Sequence, residues 1–188
     1  MVDTSNHHIV YGFLQDYLTG ETLQDTDDER TRQQLMKMMV EQLGYGKSEL
    51  EARLKIHSEF NGKKTETLID LAVRVNGKPL FILRYAPGSL VTREKAAIAA
   101  ARILDPAYLI PLAVVTNGRD AELVDTKSEK VLDTGMQCIP DRQEAEKLVA
   151  QYTFEPYQEA KQRERALRIL NVLDEDVCCA GLKCDTTD

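Results

Sequence analysis

Residues 67–85 read TLIDLAVRVNGKPLFILRY, and the fold turns on how that stretch is read. In Thr67–Val75 the apolar residues Ile69, Leu71, Val73 and Val75 alternate with their neighbours, the period-two signature of a strand. That alternation places Asp70 on the opposite face, between Leu68 and Ala72. Asn76-Gly77 is a hairpin turn signal, because both residues tolerate the left-handed backbone that a tight turn demands. After Lys78-Pro79, the run Leu80–Tyr85 is apolar nearly throughout, as expected of a central strand covered on both faces.

Working outward, Ala52, Leu54 and Ile56 alternate with Arg53, Lys55 and His57, which predicts a strand over 51–58. Downstream, Pro87-Gly88 ends the apolar strand, and a helix is expected from Thr92 to about Leu104. Its five alanines permit close approach to a sheet. Asp105-Pro106 breaks that helix. Ile110–Thr116 reads as a second buried strand, and Asn117-Gly118 turns into another over 120–125. Upstream, Thr26-Asp27-Asp28-Glu29 is a capping-box start for a helix over 27–43, with Leu35, Met39 and Leu43 on its apolar stripe and Gly44 beyond it. Ile9, Phe13 and Tyr17 at four-residue spacing predict a short helix over 8–18, stopped by Thr19-Gly20. Two C-terminal helices are expected at about 141–152 and 156–173, the second begun by Pro156.

The predicted class is α/β: a mixed central sheet of about five strands flanked by helices, with C-terminal helices appended. The crossover between 80–85 and 110–116 makes those two strands parallel. Four segments follow from this reading. They are an acidic N-terminal extension with a short helix (1–25), the core (26–140), the C-terminal helices (141–173) and a flexible tail (174–188).

The charge is distributed to match. The net charge of the 188 residues is −7, yet residues 1–29 hold seven acids and no Lys or Arg, and 174–188 carry −4. The intervening 30–173 are therefore net +4, so the acidic total does not exclude an anionic ligand for the middle. No run of 18 apolar residues exists and the N-terminus lacks a secretory pattern, so the expected compartment is the cytoplasm, with no membrane partner. Gly46-Lys47-Ser48 resembles the end of a phosphate-binding loop, but Glu41 stands where its first Gly should be. Cys178, Cys179 and Cys184 lack the paired spacing of a zinc site, and His7, His8 and His57 join no triad.

From Glu29 through Asp125, about half of the chain, the sequence resembles the N-terminal nuclease domain of type I restriction enzyme R subunits, a branch of the PD-(D/E)XK superfamily. Leu43-Gly44-Tyr45, Ile69-Asp70-Leu71-Ala72-Val73, Gly77-Lys78-Pro79-Leu80, Ala86-Pro87-Gly88 and Val114-Val115-Thr116-Asn117-Gly118 carry that resemblance in order. It implies a restriction-endonuclease-like fold. It also implies an Mg²⁺ site in which a strand Asp and the Glu of a Glu-x-Lys on the next strand supply oxygen ligands, while the Lys prepares the attacking water. Asp70 matches the family's Asp and its metal-ligand position, and Glu29 matches the helix acid. The Glu-x-Lys positions fall on Leu83 and Tyr85, which can neither ligate the metal nor act as the cation.

The expected protein is therefore a catalytically inactive module in DNA restriction, binding DNA weakly or other protein subunits, with no cofactor. Lys63, Lys64, Arg93, Lys95 and Arg102 are the candidate phosphate contacts. An active Mg²⁺-dependent endonuclease is the alternative, with Glu94 and Lys95 as migrated catalytic groups. A regulatory or scaffold protein without a nucleic-acid role is another, using the helical C-terminus around Leu167, Leu170 and Leu173 as its partner surface.

Overall fold

The central hairpin forms as its alternation and turn require. The computed structural model describes residues 9–154, 156 and 160–173. Its elements are β1 (Gly12–Gln15), β2 (Thr22–Asp25), α1 (Asp27–Glu41), β3 (Leu50–Phe60), β4 (Lys63–Val75), β5 (Lys78–Tyr85), α2 (Glu94–Leu104), β6 (Leu112–Thr116), β7 (Ala121–Asp125), β8 (Lys130–Thr134), α3 (Arg142–Gln151) and α4 (Ala160–Leu173). Asn76 (φ 52°) and Gly77 (φ 77°) are both left-handed, which is the geometry of a type I′ turn joining β4 to β5.

The main sheet has six strands in the order β3-β4-β5-β6-β7-β8, and a separate two-stranded sheet pairs β1 with β2. β5 and β6 are parallel, as the crossover through α2 demands, and the other neighbours are antiparallel. The expected five strands become six because β8, exposed at all five positions, carries no apolar alternation to announce it.

Helices cover both faces. Leu71, Val73 and Val75 of β4 and Phe81 and Leu83 of β5 pack with Leu35 and Met39 of α1 and Ala145 of α3. Ala72 and Ile82 face the other way, toward the alanines of α2 and toward Ala166 and Leu170 of α4. Asn171 fastens α4 to the β3–β4 hairpin by donating to the Lys63 carbonyl (3.1 Å) and the Thr65 hydroxyl (3.0 Å). Of the α4 leucines offered above as a partner surface, Leu170 is fully buried, while Leu167 and Leu173 are half-buried against the α2-side cluster.

Several expectations are corrected. The described part of the predicted 8–18 helix, residues 9–18, is not helical; Gly12–Gln15 is the first strand of a hairpin. The Asp16 carboxylate accepts from the amides of Leu18 and Thr19 (both 2.9 Å), a local turn that outcompetes helical pairing. The N-cap position of α2 falls on Arg93, whose side chain makes no capping bond, and the Thr92 hydroxyl donates to the Ser89 carbonyl. Pro156 bridges to Tyr108 rather than opening α4. Thr26 does cap α1, accepting from the Glu29 amide at 3.1 Å, but the Glu29 side chain does not close the capping box. The predicted flexible tail, its three cysteines and His7-His8 lie outside the described residues.

Candidate functional site

Asp70 stands where β4 and β5 part. Their pairing runs from Val75↔Lys78 to Leu71↔Leu83 and stops there. The alternation of β4 also breaks at this point, because Ile69 joins Ala72 in the cluster against α2 while Asp70 reaches α1. Asp70 Oδ2 accepts from the amide of Tyr85 at 2.7 Å, taking the place of the next ladder bond. Its other oxygen, Oδ1, accepts from Nε of Arg32 at 2.6 Å. Both oxygens of this carboxylate, 5% exposed, are committed.

Arg32 comes from α1, one turn beyond Glu29, and its Nη1 lies 3.9 Å from Glu29 Oε2. Its guanidinium also stacks over the Tyr85 ring, 5.1 Å from the centroid. Burial works against its charge, but Asp70 beside it more than compensates and holds it firmly protonated. Tyr85 donates its hydroxyl to Asp28 Oδ1 at 2.9 Å; burial and that acceptor raise the phenol above its ordinary value.

The network continues across α1. Glu29 accepts from Nε2 of Gln33 at 2.8 Å and from the Arg53 guanidinium. Arg53 Nε and Gln33 Nε2 both donate to Asp16 Oδ2, each at 3.1 Å. Gln33 in turn accepts from the Tyr17 amide at 2.7 Å. Arg53 sits in β3 at φ 57°, a left-handed conformation costing roughly 1–2 kcal/mol for a residue with a side chain. It interrupts the ladder between Ala52↔Leu71 and Leu54↔Ile69 without shifting the register. Burial alone would raise the Asp16 carboxyl; the Thr19 and Leu18 amides, Gln33 and Arg53 hold it below the usual value. Three nearly buried carboxylates (Asp16, Glu29, Asp70) are thereby threaded on two arginines.

The remaining predicted residues are dispersed. Leu83 is buried in the α1-side core. Glu94 faces Glu122 of β7, whose carboxyl is raised by burial and by Glu94 beside it. Lys95 is exposed on α2, and Arg93 stands just before that helix's first residue. Arg102 donates through Nε to the Thr126 carbonyl (2.8 Å) and pairs with Glu129 (2.9 Å). Lys63 and Lys64 belong to the β3–β4 hairpin, where Lys64 is 3.9 Å from Glu59. Among the described residues no three His, Cys, Asp or Glu side chains converge so as to hold a metal ion. Neither Asp70 nor Glu29 lines the shallow cavity of about 200 Å³ between α1 and the β6–β7 turn, walled by Thr31, Leu35, Met38, Gly118 and Met136.

Arg32, Arg53, Asp16 and Gln33 went unmarked in the sequence. Arg32 had a signal, since it lies three residues after Glu29 on a helix and shares its face. Arg53 had none, because a strand arginine between apolar neighbours reads as a solvated residue.

A six-stranded mixed sheet flanked by helices is consistent with a nuclease-like α/β fold. Residues 27–140 match the family model described as type I restriction enzyme R protein N terminus (HSDR_N), and the chain belongs to that family. No curated protein and no solved structure matches it.

Proposed function

We propose that this chain serves DNA restriction as a non-hydrolysing domain that contacts DNA weakly and works beside other subunits. One observation carries the reading: both oxygens of Asp70 are bonded, one to Arg32 and one to the Tyr85 amide. An Mg²⁺ site needs several hard oxygen donors in near-octahedral array. Here the neighbouring strand offers Leu83, whose side chain has no donor, and a tyrosine engaged with Asp28. The cation facing Asp70 is an arginine of the chain itself. The donor set does not fit the metal that the family implies, so no hydrolytic step is derived through it. The mildly basic stretch 30–173 supports the DNA contact.

Incubating the protein with supercoiled plasmid and Mg²⁺ or Mn²⁺ tests this. The plasmid is expected to remain supercoiled while a labelled duplex shows binding that weakens steeply as salt rises. Nicking that disappears in an Asp70→Ala variant overturns the reading.

A further inference from the structure

The β3–β4 hairpin closes on a two-residue turn, Asn61 (φ 52°) and Gly62 (φ 77°), flanked by the pair Phe60↔Lys63. Both turn residues are left-handed, the type I′ geometry in which the flanking pair exchanges its backbone hydrogen bonds. Hydrogen-bonded and non-hydrogen-bonded pairs then alternate along an antiparallel ladder. From Phe60 back to Leu54 the register runs without a break. Leu54, Ile56, Ser58 and Phe60 therefore turn their N–H and C=O groups to β4, while Lys55, His57 and Glu59 turn theirs away from it. That outer side is an edge of the six-stranded sheet, with no strand beside it among the described residues. The other edge is β8, a strand of five residues whose pairing is interrupted by a register shift. Shortness, bulges and proline are common protections of a sheet edge, and residues 54–60 have none of them.

The charges along this edge are self-complementary. Lys55, His57 and Glu59 are all exposed, with Lys55 and Glu59 two residues to either side of His57. We propose that β3 pairs antiparallel with β3 of a second copy of this chain, about a two-fold axis at His57. This register lays 54–60 on itself, so that Lys55 of each copy faces Glu59 of the other and exchanges both backbone hydrogen bonds with it. Glu59 then lies between Lys64 of its own copy, 3.9 Å away, and Lys55 of the other. On the opposite face the half-buried Leu54 meets Phe60 of the other copy, which is also half-buried. Moving the axis to Lys55 or to Glu59 would set like charges opposite each other, which is unfavourable. Edge charges repel a chance partner, but in this order they suit the strand itself. Lys55, Glu59, Lys64 and Glu66 share one face of the hairpin and their charges cancel, so the face suits a copy of itself better than a polyanion.

Analytical ultracentrifugation of the full chain from about 10 μM to about 1 mM tests this, a range that covers weak self-association. A reversible monomer–dimer equilibrium is expected. His57→Pro removes the central outward N–H and leaves the β4 ladder its bonds, so the dimer should be lost while Tm and far-UV circular dichroism stay unchanged. Lys55→Glu and Glu59→Lys should each weaken the dimer about five- to thirtyfold, because either one turns both pairs across the axis into like charges. Combining the two reversals in one chain, or mixing the two single variants, should restore it. The reversals alter only exposed side chains, so they decide the matter even if His57→Pro unfolds the hairpin. A chain that stays monomeric to about 1 mM overturns the proposal. So does a dimer that the single reversals leave unchanged or that their combination does not recover, and so does one that persists in folded His57→Pro.

Discussion

Replacing Arg32 with methionine keeps most of the side-chain volume and removes one charge. Its side chain is 21% exposed and that of Asp70 only 6%, so the pair lies at the dry edge of the interior. Without Arg32, Asp70 keeps a single donor, the Tyr85 amide, for a carboxylate shut away from water. Stripping one partner from a fully buried pair costs roughly 3–5 kcal/mol. Partial exposure of the guanidinium lets water screen the charge, which lowers the expectation to about 2–3 kcal/mol. For a chain of this size that corresponds to a fall in Tm of roughly 5–10 °C. Urea denaturation of Arg32→Met, Asp70→Asn and the double variant measures it. The double variant should be clearly more stable than the sum of the two single losses predicts, because it leaves no stranded charge. Additive losses, or an Arg32→Met loss under about 0.5 kcal/mol, refute the claim that Arg32 is the resident cation of this carboxylate.

Gly118 has φ 83°, and a Cβ there would lie 2.5 Å from Thr31 Cγ2. Gly118→Ala should therefore cost about 2–4 kcal/mol in denaturant melts, and adding Thr31→Ser should restore only the steric part, since the backbone strain remains. The Asp16 carboxyl is held below its ordinary value, so the stability it lends is present above the unfolded value near 3.8 and disappears as pH falls through its lower folded value. Protection of the Leu18 and Thr19 amides, measured against their intrinsic exchange rates, should fall as pH drops below the unfolded value near 3.8, and in Asp16→Asn that fall in protection should be absent. Burial pushes the Cys138 thiol up to about 11. At pH 8 its thiolate fraction is on the order of 10⁻³, so site-resolved alkylation should be slow until the chain unfolds.

The fold was legible where local chemistry and burial agree. In 67–85, alternation, a turn dipeptide and an all-apolar strand point the same way, and the β4–β5 hairpin forms as read. The capping Thr26, the alanine-rich α2 and the parallel β5–β6 pair were equally plain. Residues 8–18 misled because helical spacing of three apolar side chains is a weaker constraint than the Asp16 turn and the left-handed Gly20. In the site, Asp70 and Glu29 were marked by the family resemblance, as its strand Asp and its helix acid. Their partners were not, because an arginine's destination is a tertiary fact. Arg53 reaches Glu29 and Asp16 only because its own backbone turns left-handed inside a strand, which no pattern of residue types around it announces.

Binding of Mn²⁺ by the full chain, followed through the EPR signal of the free ion, tests the central claim most directly. With the carboxylate of Asp70 held by Arg32 and the Tyr85 amide, Mn²⁺ should remain free into the millimolar range, and Asp70→Ala should leave the titration unchanged. A saturable Mn²⁺ site that is lost in Asp70→Ala would contradict it.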